Sequence, residues 1–474
     1  MPLLNRLHAL VGPAGLVTDA DAQAPYLTDW LGKWTGRTTV VVRPANTAET
    51  AAVVRLCSET RTPIVTQGGN TGMSGGATPD ASGAQVVLST TRMNRVRAVD
   101  PVNNTLTLDA GVILANAQEA ARSVDRFFPL SLGAQGSCTV GGNVATNAGG
   151  IAVLRYGNTR ELVLGLEVVL PDGRIWNGLR GLRKDNTGYD LKSLFIGSEG
   201  TLGVITGVVL KLFPRPTSHA TAWVGADSLE RLVELLGLMR TRCGERLTAF
   251  EMMTAPSLQL VLDQVTDTRA PLATSAPFNA LIELSDTGAV SDVRGDESGP
   301  GALLESALAE AMEAGLANDA MLSASEAQTM ALWKLREGIS QAQVRAGKAV
   351  KHDIALPISS LASFVAQAEK DVQACLPGAS VINFGHLGDG NLHYNVLLPA
   401  DTDYDTLKRR THDLNAVVHQ LVTNYGGSIS AEHGVGQLRR DELRIYKSPV
   451  EMELMLRIKQ AMDPNHIMNP GKLL

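Results

Sequence analysis

Residues 131–150 read SLGAQGSCTVGGNVATNAGG, and no side chain among them is charged. A loop that faces water is seldom so poor in charge, so this segment has to fold against something flat and polar. A second segment, PIVTQGGNTGMSGGA at 63–77, puts five glycines, an asparagine and two hydroxyl types directly after a β-prone run. A third, DLKSLFIGSEGTLGVIT, repeats the theme at 190–206. Bare N–H groups and the left-handed conformations open to glycine let a backbone wrap round a pyrophosphate. The first loop is neither a GxGxxG opening a βαβ unit nor a Walker A loop, since no lysine follows. One such segment could be an ordinary glycine-rich hairpin loop. Three of them point to a large ligand with phosphates.

At 474 residues the chain is too long for one core, and about 150 residues per domain predicts two or three. The net charge of −6 offers no basic field for nucleic acid, which is set aside as a partner. Cys57, Cys138, Cys243 and Cys375 are scattered without a CxxC pair, which fits a reducing compartment and argues against an all-thiolate metal site. No run approaches about 18 uninterrupted apolar residues, so no transmembrane segment is expected. Together these features predict a cytoplasmic protein.

From residue 1 to about 215 short strands alternate with helices. TTVVVRPA, TPIVTQ, QVVLST and NTLTLDAGV read as strands, and 47–60 runs helical from a threonine with a glutamate close behind. ELVLGLEVVLPDGRIWN reads as a hairpin turning at Pro-Asp-Gly. LKLFPRP makes a domain boundary. The region 216–425 carries long helical patterns at 228–242, 302–315 and 324–345 between strands such as FNALIEL and SVINFGH, with an exposed excursion expected at 286–301. A tail, 426–474, follows. The fold class expected is α+β, with domains at 1–215, 216–425 and 426–474.

FGHLGDGNLHYN, residues 384–395, holds two of the nine histidines. Asp389-Gly390 is a favoured two-residue type I′ turn, which predicts His386 directly opposite His393 with Cβ atoms about 4.5–5.5 Å apart. Two imidazoles at that spacing can share one ion, and Asn395, two residues on, points to the same face. Two ordinary polar residues on a hairpin face would be the bland alternative. A third ligand is offered by Glu432-His433 in GGSISAEHGVGQ, where the other reading is a turn opening a helix. Two histidines and a carboxylate with an open position suit Zn2+, and also Mn2+ or Fe2+. SASEAQTMALWKLREGISQAQV opens with a capping box from Ser323 to Glu326 and predicts a helix to about Val344. Arg336 and Ser340 lie four apart on it, and Lys351 follows the break at Gly347.

The stretches TQGGNTGMSGG, GGNVATNAGG, RKDNTGYDLKSLFIGSEGTLG and NFGHLGDGNLHYN resemble the vanillyl-alcohol-oxidase-type flavoproteins, and within them the D-2-hydroxyglutarate dehydrogenases. The cytochrome-linked D-lactate dehydrogenases and glycolate oxidase flavin subunits are the near relatives. The resemblance covers nearly the whole chain and is weakest over 216–320. It implies a two-subdomain FAD-binding domain, an α+β substrate or cap domain, and a C-terminal segment that returns to the flavin. It assigns the FAD pyrophosphate to Gln67, Gly68, Gly69, Asn70, Thr71, Gly72, Met73 and Ser74. The isoalloxazine and ribityl chain fall to Gly133, Ser137, Gly141, Gly142, Asn143, Thr146, Asn147 and Gly149. Gly200, Thr201 and Ile205 would sit by the adenine end, and Asn469 would come back from the tail. The first loop has no histidine, so FAD is expected to be dissociable.

The same resemblance makes His386, His393 and Glu432 the metal ligands, with Zn2+ the expected ion. It makes Arg336, Ser340, Lys351 and Asn395 substrate-carboxylate residues, with serine at 340 where animal enzymes carry threonine. A planar guanidinium suits a carboxylate clamp better than an ammonium. The implied reaction is oxidation of a D-2-hydroxy acid, with metal-assisted removal of the hydroxyl proton by His433, which also contacts substrate, and hydride transfer to flavin N5. Two cations for two carboxylates favour D-2-hydroxyglutarate over D-lactate, D-malate or glycolate. The electron acceptor implied is electron-transfer flavoprotein, and a homodimer is left open. Rival readings are a flavin-free zinc hydrolase or lyase and a flavin subunit without its own turnover.

Overall fold

The computed structural model describes residues 2–288, 299–399 and 401–474. Most of the excursion expected at 286–301 lies outside the described residues. The chain divides into two compact units. The first comprises residues 1–150, 156–215 and 432–474; the second comprises 151–155 and 216–431. The break at Arg215/Pro216 falls inside LKLFPRP, and the tail joins the first unit from Glu432 onward.

The first unit holds two main sheets. One orders Leu16–Val17, Val41–Val42, Val86–Ser89 and Ile64–Gln67, the last three parallel. Helix Thr47–Thr60 covers it, burying Val53, Val54, Leu56 and Cys57 against Ile64, Val86 and Leu88. Its cap is Asn46, one residue before the expected threonine: the Asn46 side chain accepts the Glu49 N–H, and Glu49 reaches back to the Ala45 N–H. The second sheet is antiparallel and runs Val96–Asp100, Thr105–Asp109, Val204–Lys211, Val163–Val169 and Ile175–Gly178. The last two form the hairpin around Pro171-Asp172-Gly173, with Gly173 at φ +82. The chain's end extends the first sheet: Ile64 donates to the Ile467 carbonyl at 2.7 Å, and Asn469 donates to the Ile64 carbonyl at 2.8 Å. Asp463, fully buried, holds that end by accepting the Ile467 and Met468 N–H groups.

The second unit is built on one antiparallel sheet. Its order is Asp319–Leu322, Ser218–Ala226, Phe278–Asp286, Leu247–Thr254, Ser380–His386, Asn391–Leu398 and Lys348–Val350, with Asp353–Ala355 also pairing to Asn391–Leu398. Helices Ala255–Gln264 and Glu326–Ala346 pack on the face carrying Trp223, Met253, Leu281, Ile382 and Phe384. With a side-chain period of two, that face also carries Glu251, His386, His393 and Asn395. The long helix is capped by Ser325, not Ser323, and Gln328 reaches back to the Ala324 N–H. Ser323 is taken by the sheet, where its N–H pairs with the Thr221 carbonyl.

The histidine hairpin departs from its expected register. His386 faces Asn391, and His393 faces Phe384. The connection is the four residues Leu387–Gly390, and Asp389 does not take the positive φ that a type I′ turn requires. Neighbours decide this turn: Gly388 donates to the Phe250 carbonyl at 3.1 Å and accepts from Arg240 at 2.7 Å. Gly390, at φ +84, lies so near the Leu356 carbonyl oxygen that an added Cβ would overlap it. The slip is two residues, so both histidines stay on one face. Gly390→Ala should cost at least about 1 kcal/mol through its left-handed backbone alone, read as a lower urea midpoint for the second unit.

Candidate active site

In the first unit the three glycine loops converge on one cavity of about 930 Å³, part of it open to solvent. Its wall includes Gly68, Gly69, Asn70, Thr71, Gly72 and Ser74 from the first loop. Gly141, Gly142, Asn143 and Thr146 come from the second loop, and Gly200 and Ile205 from the third. His433 lines the same cavity. Backbone packs on backbone here: a Cβ on Gly69 would overlap the Ser137 carbonyl oxygen, and Asn70 sits at φ +53. Only glycine permits the first of these approaches.

Other residues expected at the cofactor support the wall without lining it. Gln67 spends its amide on the Tyr26 and Ala77 carbonyls at 2.9 and 2.8 Å. Asn147, left-handed at φ +50, caps its helix and accepts the Arg160 N–H. Thr201 hydrogen-bonds to Ser198, and its carbonyl accepts from Lys459. Asn469 ties Gly76 to Glu199 by donating to both carbonyls, at 2.9 and 2.7 Å. Met73, Gly133, Ser137 and Gly149 are likewise absent from the lining, and Gly133 and Ser137 are exposed.

Residues that sequence reasoning passed over complete the wall, among them Thr66, Thr90, Cys138, Thr139 and Glu199. Thr66 Oγ1 and Asn469 Oδ1 are buried polar atoms with no partner among the described residues. Burial pushes the Cys138 thiol up, with Asn143 and backbone groups pulling it partway back. Burial also raises the Glu199 carboxyl, against the pull of the Val435 and Gly436 N–H groups. The signal for Glu199 was present in the sequence: GSEG puts one carboxylate inside a glycine loop.

In the second unit a buried carboxylate joins two expected site residues. Glu251 Oε1 meets His386 Nδ1 at 2.6 Å, and Oε2 accepts both Nε and Nη2 of Arg336 at 2.7 Å. Burial alone would raise the Glu251 carboxyl; His386 and Arg336 outweigh it and hold the group below the usual carboxylate range. Glu251 thus fixes the His386 ring through its Nδ1. The His386 and His393 rings stand edge to face, centroids 5.7 Å apart. Asp353 Oδ1 lies 3.8 Å from His393 Nδ1 and accepts from Asn391 at 3.0 Å. Arg336 also lies over the Phe384 ring at 4.8 Å.

The remaining expected residues differ in role. Asn395 is buried, donating to Gln343 at 3.1 Å and accepting the His352 N–H at 3.1 Å. Ser340, one turn beyond Arg336, is exposed, as is Lys351. Glu432 follows Ala431, whose N–H bonds the Asp353 carbonyl at 3.2 Å, and there the chain passes from the second unit to the first. Sequence reasoning missed Glu251. Its one sign was a lone acid in the apolar strand AFEMM.

Known proteins share both halves of this architecture. Residues 38–178 match the FAD binding domain model, and residues 215–473 match the C-terminal domain of FAD linked oxidases. A mitochondrial D-2-hydroxyglutarate dehydrogenase of Bos taurus is 41% identical over 98% of this chain and 82% of its own. The chain belongs to the FAD-linked oxidases. A Schizosaccharomyces pombe relative, provisionally named a mitochondrial D-lactate dehydrogenase, is 39% identical over 99% of this chain and 87% of its own. The crystal structure of p-cresol methylhydroxylase with substrate bound superposes with a TM-score of 0.76 at 16% identity, over 99% of this chain and 96% of that one, and shares the fold.

This FAD-linked oxidoreductase has the vanillyl-alcohol-oxidase-type fold expected from its motifs. Its cavity fits FAD: glycine-rich backbone for the phosphates, a lining of mostly small, uncharged side chains, and a buried Thr66 hydroxyl that has no partner among the described residues. The expected cytoplasmic location is corrected by the relatives, whose names place them in mitochondria. Scattered thiols report a reducing compartment, and that is not the same thing as the cytosol. Among the described residues no helix is long and apolar enough to cross a membrane.

Removing Glu251 should leave a buried guanidinium without its carboxylate. Glu251→Ala is expected to cost about 3–5 kcal/mol in urea unfolding, and the pair Glu251→Ala with Arg336→Met should recover most of it. Additive losses in the pair would show that the ion pair is not what the single change breaks.

Proposed function

We propose that this FAD-linked oxidase converts a D-2-hydroxy acid to the 2-oxo acid, with D-2-hydroxyglutarate its best substrate. The observation that carries the reading is the buried Arg336–Glu251–His386 chain beside His393, which puts a carboxylate-binding guanidinium and two imidazoles on one sheet face. A second reading, D-lactate, has support in the name of the fission-yeast relative. A diacid makes better use of Arg336 and Lys351 together than a monoacid does.

Arg336 would clamp one substrate carboxylate, its guanidinium held in plane by Glu251. Ser340, Lys351 and Asn395 would fix the rest of the acid and so select the D face. His386, His393 and Glu432 form the donor set we assign to a divalent ion, and two imidazoles with a carboxylate suit Zn2+. An ion there would supply Lewis acidity to the substrate hydroxyl. An imidazole nitrogen of His433 would take the hydroxyl proton, leaving the electron pair to form the 2-oxo group. FAD supplies the acceptor for the hydride that leaves C2. The first loop carries no histidine, which supports dissociable FAD. Electron-transfer flavoprotein is the acceptor we assign, on the strength of the motif resemblance.

The test is anaerobic bleaching of the flavin by D-2-hydroxyglutarate, D-malate, D-lactate and glycolate. The five-carbon diacid should give the highest kcat/KM, and a higher value for D-lactate would replace it. Chelator treatment should slow reduction at least about 10-fold, with Zn2+ restoring it; an unchanged rate removes the ion from the reaction. Acid precipitation should leave the yellow colour in the supernatant, whereas colour in the pellet would mean a covalent flavin.

A further inference from the structure

We infer that Glu199 is a positioning residue that locks the turn carrying His433 at the flavin cavity. The inference rests on the reading of His433 as general base and extends it to a group that reading does not use. All of the residues involved lie in the first unit.

Glu199 splits its carboxylate between two consecutive amides. Oε1 accepts the Val435 N–H at 2.7 Å, and Oε2 accepts the Gly436 N–H at 2.7 Å. The opposite polarity of the same turn is held by Ser74, whose hydroxyl lies 3.0 Å from the His433 carbonyl and 3.2 Å from that of Gly434. The Ser74 carbonyl in turn accepts the Gln437 N–H at 2.8 Å. The residue that bears the imidazole is therefore gripped by its carbonyl on one side and, two residues on, by its turn's N–H groups on the other. Gly434 and Gly436 both have positive φ, and a Cβ on Gly434 would press on the Glu199 carboxylate.

Glu199 itself is over-determined. It sits at φ +51, a conformation that costs a non-glycine residue of order 1–3 kcal/mol and persists only where the surroundings enforce it. Its N–H donates to the Ala145 carbonyl at 2.8 Å, and its carbonyl accepts from Asn469 at 2.7 Å. The three anchors of Glu199 thus come from the second glycine loop, the C-terminal tail and the His433 turn. Glu199, Ser74 and His433 also share the wall of the cavity. A carboxylate fits two N–H donors; a carboxamide puts an NH2 against one of them and turns that contact repulsive.

The experiment uses the FAD-loaded enzyme and reads kcat, KM for D-2-hydroxyglutarate, FAD content and the visible spectrum. Glu199→Gln should lower kcat about 10- to 100-fold while KM and FAD content stay near the parent values. In a His433→Ala background the same change should add less than about twofold, because both act through one imidazole. A parent-like kcat in FAD-loaded Glu199→Gln overturns the inference, and so does a full additional loss in the His433→Ala background. If His433→Ala alone keeps the parent kcat, the base assignment fails and this inference with it. Should Glu199→Gln not load FAD, Ser74→Ala decides by removing the other half of the grip. A similar kcat loss at full FAD content then supports the inference, and an unchanged kcat overturns it.

Discussion

Glu251 accepts Arg336 from 85 residues away and His386 from 135 residues away, and nearly everything in the second unit is arranged to allow it. An unpaired ion in a sheet interior costs several kcal/mol, so the strand Leu247–Thr254 has to lie beside Ser380–His386 and under the helix Glu326–Ala346. The sheet order supplies the first neighbour, and the apolar face of Trp223, Met253, Leu281 and Phe384 supplies the second. The same carboxylate fixes a ring nitrogen and a guanidinium plane at once. The Arg336 guanidinium and the His386 ring therefore cannot drift independently.

The first unit solves its problem without buried charge pairs at the cavity wall. Its loops approach through bare backbone, as Gly69 does against the Ser137 carbonyl, and the tail is drawn in by a β-bridge between Ile64 and Met468. Asn469 follows that bridge and ties Gly76 to Glu199. Such close backbone packing leaves N–H groups available to phosphates and little room for substitution. Glu199, the loop carboxylate that lines the cavity, is spent on amides of the His433 turn.

The glycine loops were legible in the chain because their information is local: composition and adjacency to strands. The inward face of the histidine hairpin was legible too, since a period of two survives a slip of two residues. Its register was not, because Arg240, Phe250 and Leu356 shape the turn from other elements. Ser323 looked like a helix cap and instead lies just past the strand Asp319–Leu322 for the same kind of reason: Thr221 claimed its N–H.

By itself the sequence determined that backbone would cradle a large phosphate-bearing ligand and that two imidazoles would share a sheet face, since both follow from short-range pattern. Tertiary structure alone decided which groups hold those imidazoles and the Arg336 guanidinium in place. Glu251 and Glu199 are unremarkable acids in the linear chain. They acquire meaning when burial removes water, because a carboxylate without solvent must find its partners wherever the fold brings them.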